Sequence, residues 1–295
     1  MATFRIGFIG LGTMGESMCE NIIKKSSSKV WLYDVNRAQV EKLAKVGGNP
    51  CKSLKELAEN CNLIISVVPT NENVKEVVDG ILQYIKKGSI YVDMSTISPD
   101  VSKELANKVK ASGSVMMDVP VVKSKAAAIA GNLGIYVGGD EETYKKIRPI
   151  LECMGKPEEI IYFGENGKGL AMKLCHNMLV GEIQNGVNEM LILAKAAGLN
   201  FDAVLKGVKA GGGQNFYLDS KGETIKNEEF SPKFSFRNMH KDINLIVEFS
   251  KKLGLDLPGA NNVVKIYEKG IKEFADKDFS ATIKVLEKLL EKSKK

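Results

Sequence analysis

The sequence predicts an α/β protein with an N-terminal doubly wound sheet, a long connecting helix and an all-α C-terminal domain. Three observations predict it. Apolar, β-branched runs alternate with helical stretches through the first half of the chain. A glycine-rich turn follows the first of those runs, and past about Gly167 strand signals stop and helical periodicity takes over. Near-continuous apolar strands separated by helices argue for a parallel sheet covered on both faces.

Apolar runs at 4–9, 30–33, 63–68, 90–93, 115–117 and 134–137 are the expected strands. Between them, Val40, Leu43 and Ala44, then Leu54, Leu57 and Ala58, repeat at the three- and four-residue steps of a buried helix face. Pro69 and Pro99 lie just past strand ends, where they punctuate loops and leave the ladders intact. Residues 168–197 read as one long helix, with Gly198 as its C-cap. Further helices are expected near 202–209, 214–226, 235–253, 259–274 and 279–292. The domains are therefore 1–165, a connecting helix 166–197, and a helical domain 198–295. A cleft at such a boundary is the usual place for a small substrate.

The run Gly10-Leu11-Gly12-Thr13-Met14-Gly15 opens a helix straight after the strand Phe4–Ile9. The first glycine makes the tight turn, the second lets the backbone approach phosphates, and the third lets helix pack on strand. A pyrophosphate there meets free N–H groups and the positive end of a helix dipole. A second apolar run, Val30–Tyr33, ends in Asp34, 19 residues beyond Gly15, where a carboxylate accepts from adenosine ribose hydroxyls. This is the Rossmann pattern, and it predicts a bound dinucleotide. Asp34 favours NAD by repelling a 2′-phosphate, while Asn36 and Arg37 beside it leave NADP possible.

Composition narrows the class. The chain has 295 residues, 44% hydrophobic and 26% charged, which is ordinary for a globular protein of two domains. Its +6 formal charge is spread as lysine, densest at Glu291–Lys295, without the basic stripe and interleaved aromatics of a nucleic-acid binder. Cys19, Cys51, Cys61, Cys153 and Cys175 are odd in number and scattered, which suggests reduced thiols and a cytoplasmic protein. With only His176 and His240 beside them, no zinc-ligand spacing arises, so no metal site is expected. No leader is expected at the N-terminus, and no apolar run approaches the ~20 residues of a membrane span.

Lys173 and Asn177 are four residues apart, so a helix presents both on one face with His176 beside them. Gly164, Gly167 and Gly169 would let the preceding loop approach a ligand. Hydride leaving an alcohol carbon requires the hydroxyl proton to leave too, and a positioned amine takes it; in reverse the ammonium returns it. Desolvation beside a cofactor lowers an amine's pKa toward neutrality, which suits lysine to this work. The bland alternative is a surface lysine on an amphipathic helix. Ser95 and Thr96 follow a strand end that faces the ligand crevice of an open sheet, although Ser98-Pro99 beside them also looks like a helix start. Val68, Pro69 and Thr70 end the previous strand and are expected near the ribose.

The motifs Gly10–Gly15, Asp93–Pro99, Asp118-Val119-Pro120-Val121, Gly164 through Lys173-x-x-His176-Asn177, His240-Lys241-Asp242 and Asp278–Ala281 occur in that order. Together they resemble the β-hydroxyacid dehydrogenase family, which includes 3-hydroxyisobutyrate dehydrogenase and tartronate semialdehyde reductase. The resemblance implies an NAD(P)-dependent enzyme for a small anionic hydroxy acid or its aldehyde. It implies that Lys173 is catalytic, that Asn177 binds substrate and that Lys241 reaches the cofactor. The family usually continues D-x-P-V with Ser-Gly-Gly, whereas this chain has Val122-Lys123-Ser124. Valine donates no hydrogen bond, so the usual contact is absent or moved to Ser124; Lys123 either points into water or favours a sulfonate, phosphate or second carboxylate. That variation is similar to sulfolactaldehyde reductase, a branch of the family, although His176 and Val180 depart from it. Lys173-x-x-His176-Asn177 also resembles 6-phosphogluconate dehydrogenase, but Val180 stands where that enzyme carries a glutamate acid. A dinucleotide-binding interaction module without chemistry is the rival from another class. The long apolar central helix suggests a homodimer or homotetramer.

Overall fold

Alternate residues of the central strands enter two separate cores, and this explains why those strands read as unbroken apolar runs. Ile6, Phe8, Leu63, Ile65, Val92 and Met117 face one core; Ile64, Tyr91 and Met116 face the other. The computed structural model describes residues 4–293, so Lys294 and Lys295 of the lysine-rich end lie outside the described residues. In chain order the first elements are β1 (Arg5–Ile9), α1 (Gly15–Lys25), β2 (Lys29–Tyr33), α2 (Arg37–Ala44), β3 (Asn49–Pro50), α3 (Leu54–Asn60) and β4 (Leu63–Ser66). There follow α4 (Asn71–Leu82), β5 (Ile90–Asp93), α5 (Pro99–Ala111), β6 (Val115–Asp118), β7 (Val121–Val122), α6 (Lys125–Ala130), β8 (Leu133–Gly138), α7 (Glu141–Leu151) and β9 (Gly155–Gly164). Helices then run alone: α8 (Lys168–Ala196), α9 (Phe201–Lys209), α10 (Phe216–Lys226), α11 (Phe236–Lys252), α12 (Pro258–Phe274), a 3₁₀ turn (Phe279–Ala281) and α13 (Thr282–Ser293).

The chain divides into two units, Met1–Lys173 and Leu174–Lys295. In the first, the strand order is β3-β2-β1-β4-β5-β6-β8-β7, with β9 on β8. The leading six follow the doubly wound 3-2-1-4-5-6 order, with α1, α2 and α7 in one core and α3, α4 and α5 in the other. The expected all-parallel sheet is corrected at one side, where β8 runs antiparallel to β6 and β7. Three strands escaped the apolar pattern. Pro50 closes the two-residue β3, β7 is only two residues long, and β9 carries Lys156, Pro157, Glu158 and Glu159 in its exposed or half-buried first half.

The second unit has its own helical core, with Phe236 and Tyr267 rings 4.5 Å apart near its centre. Gln184 and Asn188, one turn apart on α8, donate to Phe279 O (2.7 Å) and Thr282 Oγ1 (2.9 Å). Asp278 is fully buried and accepts both from Lys221 Nζ at 2.8 Å and from the backbone amides of Lys233 and Ser280. The closing Asp278–Ala281 motif is therefore a structural knot that ties α10, the 230s loop and α13 together. As expected, Gly198 ends α8 with φ +74°.

Candidate active site

Because β1, β2, β4, β5 and β6 run parallel, the loops after them leave from one edge of the sheet. The glycine turn has the backbone geometry that its spacing predicts. Gly10 adopts φ +88°, and a Cβ there would lie 2.2 Å from Val67 O. A Cβ at Gly15 would lie 1.9 Å from Gly10 O, whereas one at Gly12 meets nothing within 4 Å. The tight turn and the close helix approach thus need glycine at 10 and 15, and Gly12 leaves its side open. Met14, the N-cap of α1, makes no side-chain cap hydrogen bond, so no capping side chain competes for the first turn. Leu11 and Thr13 complete the turn, with Leu11 buried and Thr13 exposed.

Asp34 stands just past β2 and accepts from Leu11 N–H (2.6 Å) and Asn36 N–H (2.7 Å). It therefore holds the glycine turn. Neighbouring groups are more committed than the sequence suggested. The Asn36 side chain caps α2 at Ala38 N, and Arg37 Nη1 donates to Cys51 O at 2.6 Å. Thr70 caps α4 by accepting from Asn73 N. Ser95 is buried; its hydroxyl donates to Asp93 Oδ1 (2.7 Å) and accepts from Val68 N (2.9 Å). Ser95 thus braces the Val68-Pro69-Thr70 loop, while Thr96 beside it is half-buried.

At β7 the departures from the family pattern find protein partners. Val122 is buried with its Cγ2 2.6 Å from where a Cβ at Gly134 would sit. Lys123 adopts φ +82°, a left-handed conformation that glycine would hold without strain. Its ammonium pairs with Glu159 on β9 and donates to Asn132 O at 3.0 Å. Lys123 holds the Glu159 carboxyl below its ordinary range, first through the hydrogen bond and then through charge. A free cation awaiting a second anionic group is therefore not what this turn presents. Ser124 is the exposed N-cap of α6 and makes no side-chain cap bond.

Lys173 lies in the second turn of α8 and is only 8% exposed, unlike a surface lysine. The glycines before it serve protein packing more than ligand approach. A Cβ at Gly169 would lie 2.8 Å from both Asp118 O and Gly138 N, and one at Gly167 would lie 2.7 Å from the Lys103 side chain. In the second unit His176 Nδ1 lies 3.1 Å from Asn177 Oδ1, Asn177 Nδ2 donates to Asp242 Oδ2 (2.7 Å), and Asp242 Oδ1 ion-pairs with Lys241 Nζ (3.1 Å). One buried carboxylate thus joins Asn177 and Lys241, which the sequence had singled out in separate motifs, and His176 is linked to it through Asn177. Asp242 itself had no role assigned. Its signal was its place on the apolar stripe Met239, Ile243, Ile246 of α11, where an acid persists only when paired. A cavity of about 410 Å³ in the same unit, lined by Leu191, Phe201, Ile225 and Ile283, contains none of the predicted site residues.

The five cysteines are free thiols, four of them buried. Among the described residues no helix is long and apolar enough to cross a membrane.

Comparison with known proteins agrees with this geometry. Residues 5–164 match the family described as the NAD binding domain of 6-phosphogluconate dehydrogenase. Residues 167–286 match the family described as NAD-binding of NADP-dependent 3-hydroxyisobutyrate dehydrogenase. The chain is 31% identical over 292 residues to 2-(hydroxymethyl)glutarate dehydrogenase of Eubacterium barkeri, covering 97% of this chain and 96% of that one. It is 32% identical to mouse mitochondrial 3-hydroxyisobutyrate dehydrogenase, covering 95% and 86%. The structure of Mycobacterium tuberculosis 3-hydroxyisobutyrate dehydrogenase with L-serine superposes with a TM-score of 0.90 at 29% identity, covering 97% and 99%. These findings set aside a dinucleotide-binding module without chemistry. The chain belongs to the β-hydroxyacid dehydrogenase family and is an NAD(P)-dependent oxidoreductase acting on a CH–OH group.

Proposed function

We propose that the enzyme interconverts a 2-substituted 3-hydroxypropanoate and its semialdehyde, with Lys173 as the acid and base. The observation that carries the reading is the burial of Lys173 on α8, where it is 8% exposed. Relatives are named for 3-hydroxyisobutyrate and 2-(hydroxymethyl)glutarate, and the solved neighbour holds L-serine. All three compounds carry a primary alcohol one carbon from the carbon that bears a carboxylate.

Bound NAD(P)⁺ supplies the hydride acceptor. Gly10, Leu11, Gly12, Thr13, Met14 and Gly15 hold its pyrophosphate on the α1 dipole, and Asp34 accepts from the adenosine ribose. Val68, Pro69, Thr70 and Thr96 complete that site within the first unit. As the carbinol C–H bond breaks, the neutral Lys173 amine takes the hydroxyl proton and the C=O bond forms. In the reverse direction the ammonium polarises the carbonyl and returns the proton. Asn177 and His176 orient the carboxylate end, with Asn177 itself fixed by Asp242. Ser124 is the remaining hydroxyl near the turn that departs from Ser-Gly-Gly. The sulfonate-aldehyde reading drew on Met116–Val121 with Lys123 and Ser124, and the pairing of Lys123 with Glu159 weighs against Lys123 as its anion contact.

The test is a panel of short hydroxy acids and semialdehydes read by NADH and NADPH absorbance. Turnover is expected on 3-hydroxypropanoates, and NAD is expected to outperform NADP by about tenfold or more in kcat/KM, because the Asp34 carboxylate repels a 2′-phosphate. Inertness toward every 3-hydroxypropanoate in the panel would sink the substrate class.

We also propose a homo-oligomer. α8 is apolar on most sides, and Leu179 (56%) and Leu193 (71%) remain exposed along it. Light scattering on the eluting protein should give a mass that is a multiple of the single chain; a monomer at micromolar concentration would refute this.

A further inference from the structure

We infer that Asp118 is a positioning residue for Lys173: from the end of β6 its carboxylate fixes the first turn of α8, and so the direction in which Lys173, about one turn further, presents its amine. The inference rests on the reading of Lys173 as acid and base.

A helix begins with four N–H groups that lack partners, and the residue before it normally supplies a capping oxygen. α8 follows Gly167, which has no side chain to give. The acceptor comes instead from far along the chain. Asp118 Oδ1 accepts from Gly167 N–H at 2.7 Å, and Oδ2 accepts from Leu170 N–H at 2.9 Å. A second tether arises from the same strand, since Asn166 Nδ2 donates to Met116 O at 2.8 Å. The helix cannot settle elsewhere cheaply. Asp118 pairs in register with Gly138, and a Cβ at Gly138 would lie 2.6 Å from its carboxylate. Gly169 fits against Asp118 O and Gly138 N with no room for a methyl. Leu170, fully buried, fixes the rotation of the helix, and Lys173 is three residues on.

This carboxylate titrates in a useful range. Burial pushes the Asp118 carboxyl up to about 6, against the pull of the Gly167 and Leu170 amides, and the Asp93 charge on β5 adds to the rise. β8 faces it with uncharged Gly138, α8 with backbone amides ahead of Lys173, and α5 brings Lys103 over Gly167. Below that pH, a protonated Asp118 no longer offers both amides a charged acceptor. The first turn loosens and kcat falls on the acid side.

The experiment compares wild type, Asp118→Asn, Gly169→Ala and Lys173→Ala on one turned-over hydroxy acid between pH 5 and 8. Displacing a catalytic group by about an ångström costs on the order of 100-fold. Asp118→Asn places an NH₂ against one of the two amides. We expect kcat to fall by about 10- to 100-fold, the NADH Kd to stay within about twofold, and the limb near pH 6 to vanish. Gly169→Ala crowds the same turn without removing the titrating group, so it should lower kcat and keep the limb; it also serves if Asp118→Asn folds poorly. A merely structural Asp118 would lower the melting temperature and leave kcat and the limb as in wild type, and that result overturns the inference when Lys173→Ala is dead. Should Lys173→Ala turn over normally, the Lys173 reading fails first and this one with it.

Discussion

Replacing Lys173 with alanine is expected to reduce turnover by roughly 100- to 10,000-fold, the range that a positioned acid–base group supplies. The cofactor site should survive, because the glycine turn and Asp34 belong to different elements from α8. NADH fluorescence titration should therefore give a Kd within about twofold of wild type, while kcat collapses at every pH. Methionine at 173 keeps much of the apolar stem without the amine, and it should fail as badly as alanine. A lysine retained only for packing would show the opposite, with near-normal kcat in the methionine variant and a lowered melting temperature in the alanine one.

The second large effect belongs to stability. Lys221→Met should destabilise the helical unit by about 3–5 kcal/mol, because it leaves Asp278 buried without its cation. That corresponds to a fall in melting temperature on the order of 10 °C. The pH dependence follows from the charge on Asp278. Burial pushes its carboxyl up, but the Lys221 hydrogen bond and charge, helped by Ser280, outweigh burial and hold it below the ordinary range. A carboxyl lowered by folding stabilises above its unfolded pKa and loses that contribution as pH falls through the folded one. The wild-type advantage over Lys221→Met should thus shrink as pH falls, starting where the unpaired Asp278 of the variant, raised by burial, takes up its proton, and be smallest once the wild-type carboxyl is protonated too. Thermal melts of both proteins from pH 3 to 8 measure it; an equal gap across that range would show that the ion pair is not the cause.

How far the sequence reached can be argued residue by residue. The doubly wound half was legible because strands buried on both faces are apolar without interruption, and the helices between them keep a 3.6-residue step. β9 was not, since its first half carries charges that face solvent while its second half alone enters the core. The conformation of the glycine turn was legible from spacing, because every constraint on it is local or lies one strand away. Lys123 was not, because its partner Glu159 lies 36 residues further on and nothing local announces it. The same holds for Asp118, which meets its amides across 49 and 52 residues. Ser95 shows a subtler limit: the sequence put it at the right strand end, but only the fold shows that its hydroxyl bonds to Asp93 and Val68. Gly167 and Gly169 were likewise recognised as places of close approach, and what approaches them is the protein itself.

The loops after β1, β2, β4, β5 and β6, the glycine turn among them, leave from the C-terminal ends of those strands, so the turn Ser26–Ser28, which enters β2 from the other end, stands on the far rim. A fluorophore, a surface tether or a grafted peptide attached at Ser27 would leave the reacting rim unobstructed.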